Sequence, residues 1–373
     1  MTKPQVIAFY LPQYHPTEHN NEWWGKGFTE WNNVVKAKKL YPGHYQPKLP
    51  SELGFYDLRI PQIREQQVEL AKLAGVSGFC YYHYWFSNGH EELDLPFKEV
   101  VSSGCPHFPF CLCWANESWY SKFWNKDGSA QKKILAEQLY LGPEDDEAHF
   151  YSLLDAFRDN RYIKINGRLL FLIYKPLSFP DFERFKKTWN DLAKQNGLAG
   201  FYFVGQALFV DEVRSIFNMG FDAVNHCHRL DNYYHGSDKK IVRTTWRLYN
   251  IIKKVVKVPF VISYKKAIKR SVFEIDYMDN VFPTMMPNWD HTPRSGIGGT
   301  VLHNATPQLF EQHAYDILKT TDMKPIDNKI VFLKSWNEWG EGNYVEPDMK
   351  YGRGYIEALM RAIDKTEQSK NPL

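Results

Sequence analysis

Short apolar runs alternate along this chain with longer stretches of helical period. Val6–Leu11, Gly78–Tyr82, Phe110–Trp114, Leu169–Tyr174, Phe201–Gly205, Ala223–Asn225, Val281–Met286 and Ile330–Leu333 read as strands. Leu169-Leu170-Phe171-Leu172-Ile173 has no polar position, which suits a parallel strand covered on both faces. Between the runs, Ile60, Ile63, Gln67, Leu70 and Leu73 keep helical spacing up to a stop at Gly75. Phe182–Gln195 follows a candidate cap at Asp181, Pro307–Lys319 follows Thr306 with Pro at its first turn, and Tyr355–Lys365 closes the series. Strands alternating with helices predict a parallel sheet. A single (β/α)8 barrel over residues 1–373, with long loops after the strands, is the natural expectation. An open doubly wound sheet is the rival, but no Gly-rich phosphate loop follows the first run.

The barrel reading places function at the strand ends. Polar and aromatic residues gather there. Tyr10 lies near the end of the first run with Tyr14 and His15 after it, Tyr82 ends the second with His83 and Trp85 after it, and Asn116 and Glu117 follow the third. Tyr174 ends the fourth, Gln206 the fifth, and Trp289 and Asp290 come after the seventh. All are candidate substrate contacts. The last run leads into Trp336-Asn337-Glu338-Trp339-Gly340-Glu341-Gly342. In a regular strand Glu338 and Glu341 would face opposite ways. If the strand ends near Trp336 and the chain turns at Gly340, both carboxylates converge. Paired carboxylates with separate acid and base duties are the usual apparatus for cleaving a glycosidic bond. Trp336 and Asn337 would wall and orient that pair.

Composition agrees and excludes alternatives. Aromatic residues make up 16% of the chain, a surplus that sugar-stacking would use. A net charge of +3 carries no nucleic-acid footprint. Five cysteines without framework spacing do not form a disulfide scaffold, and Cys111 and Cys113 would share one face of a strand as core residues. No HExxH or similar metal pattern occurs, and His226-x-His228 is a weak signal, so no metal or other cofactor is expected. The start of the chain has no signal-peptide pattern and no run is long enough to span a bilayer, which suggests a cytoplasmic protein, peripheral at most to the inner membrane face. Residues 12–56 form a long aromatic loop, either a sugar-stacking wall or a plug for one end of the barrel. Residues 239–270 are rich in Lys and Arg without one Asp or Glu. Such a segment is either a solvated helix face or a contact for an anionic membrane or lipid-linked glycan.

Phe9-Tyr10-Leu11-Pro12-Gln13-Tyr14-His15-Pro16, Trp23-Trp24-Gly25-Lys26-Gly27-Phe28-Thr29-Glu30-Trp31 and Gly54-Phe55-Tyr56-Asp57-Leu58-Arg59 resemble signatures of WbsX-like proteins of O-antigen and capsule loci. Trp114-Ala115-Asn116-Glu117 and the segment from Trp336 to Gly342 match as well. That group is similar to glycoside hydrolase family 99, the endo-α-mannosidase family. The resemblance implies a (β/α)8 barrel in which Glu338 acts as a base towards the sugar's own 2-hydroxyl. It makes Glu341 the acid that protonates the leaving oxygen, with retention through an internal epoxide-like sugar, and Glu117 a substrate-contacting acid. The expected function is a retaining glycosidase or transglycosidase on a bacterial surface polysaccharide or its lipid-linked precursor. The rivals are a glycosyltransferase, although the chain has no Asp-x-Asp metal motif, and a non-catalytic carbohydrate-binding barrel.

Overall fold

The computed structural model describes residues 3–124, 130–227, 257–269 and 271–369, with the side chains of 121–124 and 130–132 outside the description. Eight parallel strands form the centre: β1 (Gln5–Tyr10), β2 (Gly78–Ser87), β3 (Phe110–Trp114), β4 (Arg168–Ile173), β5 (Phe201–Ala207), β6 (Ala223–His226), β7 (Val281–Met285) and β8 (Ile330–Leu333). Each pairs with its neighbour in chain order, and β1 pairs with both β8 and β2. Ile7 lies opposite Gly78 on one side and Phe332 on the other. The sheet therefore closes into a (β/α)8 barrel, and the open-sheet alternative is excluded.

The predicted strands and helices are recovered with small shifts. Helices occupy Pro61–Leu73, Phe182–Gln195, Pro307–Asp322 and Gly354–Gln368. Asp181 accepts from Arg184 N at 3.2 Å and Thr306 from Leu309 N at 3.3 Å, each satisfying an N–H that the first turn leaves without a partner. β2 runs past its predicted end at Tyr82 because Tyr84 and Trp85 pair with a short antiparallel strand, His90–Glu92.

Strand alternation sorts side chains into two layers. Inside the ring, Phe9 stacks on Tyr82 and Phe332 at 5.4 and 5.3 Å. Cys80, Cys111 and Cys113 are buried free thiols, as expected of small core residues. Outside, Trp189 is fully buried between Phe171 and Phe201 at 4.9 and 5.0 Å. Among the described residues no helix is long and apolar enough to cross a membrane. Most of the basic segment, including 239–256 and Arg270, and also His228, lies outside the described residues.

Candidate active site

After β8 the chain turns back sharply. Asn337–Glu338 pairs antiparallel with Asn343–Tyr344, and a single helical turn over Trp339–Glu341 joins them. Two glycines make the turn possible. A Cβ on Gly340 would lie 1.5 Å from Glu30 Oε1, and Gly342 holds φ +60° with Asp290 and Lys48 packed against it. The turn brings Glu338 and Glu341 to one point. Arg294 Nη1 is 3.3 Å from Glu338 Oε1 and 2.7 Å from Glu341 Oε1, while its Nε is 2.8 Å from Glu30 Oε1. Ser335 Oγ donates to Glu338 Oε2 at 3.1 Å, and His291 Nε2 sits 3.3 Å from Glu341.

Glu30, Arg294, Glu338 and Glu341 line a cavity of about 560 Å³ at the C-terminal mouth of the barrel, the end where barrel enzymes place their chemistry. Tyr82, Tyr84 and Tyr174 project into it from the strand ends, with Glu117 and Lys334. The long loop after β1 supplies Trp24, Phe28, Glu30 and Asn33, and Trp119 closes the far side. That loop therefore builds cavity wall. It also packs beneath the site, where Trp31 meets Trp339 at 5.6 Å and donates to Tyr56 O at 2.8 Å.

The sequence profile described as "Glycosyltransferase WbsX" matches residues 6–359. The chain belongs to the WbsX family. Two relatives, each described as "Uncharacterized protein WxcX" and each from Xanthomonas campestris pv. campestris, are 32% identical over 366 residues, 96% of this chain. The chain spans about half the length of these relatives, 50% in each case. Among solved structures, a GH99 endo-alpha-mannosidase from Bacteroides thetaiotaomicron in complex with Bis-Tris-propane is similar in fold. It shows a TM-score of 0.54 and 15% identity over 98% of both chains. A second structure of that mannosidase gives 0.52 and 15% over 99% of both. A "Glycoside hydrolase-like protein" gives 0.59 and 13% over 97% of this chain and 94% of its own.

Of the sequence-predicted site residues, Tyr82, Glu117, Tyr174, Glu338 and Glu341 line the cavity. The others take partners elsewhere. Tyr10 points outward and donates to Gln67 at 2.6 Å, and His15 Nδ1 pairs with Pro12 O at 3.0 Å. His83 and Trp85 also lie on the outer layer. His83 Nε2 meets His149 Nε2 at 2.8 Å, and burial pushes the His83 pKa down to about 3, so the pair is neutral. Trp85 stacks on His149 at 4.8 Å. Period-2 alternation is the reason: next to an inward Tyr82, residue 83 must face out.

Several candidates instead hold the site together. Tyr14 donates to Asn337 O and accepts from Trp339 N at 3.1 Å. Asn337 clamps Leu11, accepting from its N at 2.8 Å and donating to its O at 3.0 Å. Asn116 accepts from Lys175 N at 2.7 Å and so ties the ends of β3 and β4. Asp290 accepts from His44, Gln46 and the Thr292 hydroxyl at 2.8, 2.8 and 2.6 Å, fixing the turn that presents Arg294. Trp289 and Trp336 are buried, and Gln206 donates to Asn225 inside the barrel at 3.0 Å. Glu346, four residues beyond the Trp336–Gly342 segment, is buried and held by three donors. It accepts from Tyr56, Gln67 and Trp339, yet burial raises its pKa to about 7.

Arg294, Glu30 and Lys334 carry the electrostatics and escaped the sequence reading. Burial and the neighbouring Glu341 charge raise the Glu338 pKa, against the pull of Arg294. Burial pushes Glu341 up as well, but Arg294 and the His291 hydrogen bond outweigh it and hold Glu341 well below the usual range. In this arrangement Glu338 is the weaker acid of the two, the reverse of the order the family resemblance implies.

Proposed function

We propose that this WbsX protein is a retaining glycosidase or transglycosidase acting on a bacterial surface polysaccharide or its lipid-linked precursor. The carrying observation is that Glu338 and Glu341 meet at one Arg294 nitrogen in an aromatic-walled cavity. Those two oxygens are thus no more than about 6 Å apart. At that spacing one carboxyl can reach a sugar's 2-hydroxyl while the other reaches the leaving oxygen of the same sugar. Tyr82, Tyr84, Trp24 and Trp119 offer faces for sugar rings, and Glu117 offers a carboxylate for hydroxyls.

In the reaction one carboxylate removes the proton from the sugar 2-hydroxyl. That oxygen attacks C1, the C1–O bond to the leaving sugar breaks, and the other carboxyl protonates the departing oxygen. Water or a second sugar hydroxyl then opens the three-membered ring, returning both protons to their starting places. Resemblance assigns the base to Glu338 and the acid to Glu341. For Glu341 to hold a proton, a bound sugar must draw Arg294 away, after which burial raises its pKa. The present charge order favours the converse assignment, Glu338 as acid and Glu341 as base.

Wild type, Glu338→Gln and Glu341→Gln are to be incubated with purified surface polysaccharide and lipid-linked oligosaccharide, with products read by mass spectrometry and NMR. Fragments of retained configuration from wild type alone support the reading. A loss of at least about 10²-fold is expected for either variant. A glycosyl fluoride, which needs no proton on departure, separates the roles: the variant lacking the acid keeps its turnover. The family name, glycosyltransferase WbsX, favours a second reading, glycosyl transfer from a nucleotide sugar. Turnover of such donors that survives loss of both glutamates would establish it and remove the first.

A further inference from the structure

We propose that His19, His90 and Glu92 form a zinc site at the rim of the cavity, tying the loop after β1 to the hairpin that extends β2. His19 lies on the helix Glu18–Trp24, and His90 and Glu92 are the ends of the short strand His90–Glu92. The ligand atoms of all three lie within 4.8 Å of one another. His19 Nδ1 and His90 Nε2 both converge on a single atom, Glu92 Oε1, the second at 2.9 Å. Two imidazoles and one carboxylate are an N2O donor set, which leaves room for water in a four-coordinate zinc. With bonds of about 2.0–2.2 Å, tetrahedral zinc holds its ligand atoms roughly 3.3–3.5 Å apart. The present spacings bracket that value: His90 Nε2 is 2.9 Å from Glu92 Oε1, and no pair of ligand atoms exceeds 4.8 Å.

The surroundings favour an ion. The Glu92 carboxylate is only 3% exposed, whereas the His19 and His90 side chains are 46% and 37% exposed, so the anion is fixed and the approach is open. His19 stacks on Trp23 at 5.4 Å and His90 packs beside Phe86 at 5.3 Å, which orients both rings. A single carboxylate oxygen with two nitrogens does not suit magnesium or calcium, which take oxygen shells. The site would act on the cavity through its wall. Asn20 and Trp24 of the same helix line the cavity, and Trp23 meets Trp119, another wall residue, edge-on at 5.9 Å. A bound ion would hold that wall against the barrel mouth.

The test uses the full chain stripped with a chelator, then dialysed against zinc sulfate or magnesium sulfate. Metal content is read by mass spectrometry and thermal stability by a melting curve. One zinc per chain and a rise in Tm of several degrees are expected, with no effect of magnesium. His19→Ala, His90→Ala and Glu92→Gln should each weaken zinc retention at least tenfold. The two exposed histidines can be replaced with an unchanged circular dichroism spectrum, which separates lost binding from lost folding. No retained zinc, or zinc retained equally by all three variants, would overturn the proposal.

Discussion

Replacing Arg294 by Met removes the cation from three carboxylates while keeping most of the side-chain volume. Glu30, Glu338 and Glu341 side chains are 2%, 7% and 13% exposed, so solvent cannot take over its role. Breaking a buried ion pair from one side costs about 3–5 kcal/mol. The chain can limit the loss by protonating a carboxyl, which at pH 7 costs about 3.7 kcal/mol from an ordinary Glu value and at pH 5 only about 1 kcal/mol. Without Arg294, burial holds the folded-state pKa values of Glu338 and Glu341 above their unfolded values. The stability that protonation restores is then fully present below about pH 4.3 and is lost as pH rises through the folded values. The variant should therefore lose about 3–5 kcal/mol at pH 7.5 and markedly less at pH 5. With roughly 2 °C per kcal/mol for a large domain, the Tm deficit is about 6–10 °C and about 2 °C respectively. Melting curves at both pH values and matched ionic strength measure it, and Glu30→Gln added to the variant should recover part of the loss. Wild-type stability at pH 7.5, or an equal deficit at both pH values, would refute the electrostatic account.

Three further substitutions probe the frame around the pair. Gly340→Ala drives a Cβ into Glu30 Oε1, so it should cost about 1–3 kcal/mol, and a double-mutant cycle with Glu30→Ala should show that penalty shrinking. Additive effects would mean that the contact is not the cause. Glu346, with its pKa raised to about 7, adds a pH term to stability: its contribution is fully present below its unfolded value and is lost as pH rises through about 7, a change of about 3–4 kcal/mol. Glu346→Gln should flatten the denaturation midpoint across that window, and an unchanged slope would assign the term elsewhere. Asn337→Leu leaves the Leu11 N–H and carbonyl without their partner, which should cost about 2–4 kcal/mol in urea unfolding; a loss below about 1 kcal/mol would show that the clamp is dispensable.

What could be read along the chain was what local chemistry decides. Runs such as Phe110–Trp114 and Ile330–Leu333 are apolar on both faces, which is a one-dimensional signal of a covered parallel strand, and their bounds were recovered without change. Asp181 and Thr306 cap their helices because a cap needs only residues three apart. The spacing of Glu338 and Glu341 around Gly340 announced a turn, and a turn was enough to bring two carboxylates together. Closeness to a strand end was a poorer guide. Tyr82 and His83 are neighbours in sequence yet face opposite layers, and reading the alternation would have moved His83 and Trp85 outward and Tyr84 into the wall.

Arg294 and Glu30 could not be found this way. They are 264 positions apart, and nothing in the local sequence of either says that barrel closure will place them 2.8 Å from each other. The same holds for the protonation order of the glutamate pair. Two carboxyls in one short motif begin with the same intrinsic acidity. Which of them keeps its proton depends on burial and on where one guanidinium lies, and both are properties of the assembled barrel alone.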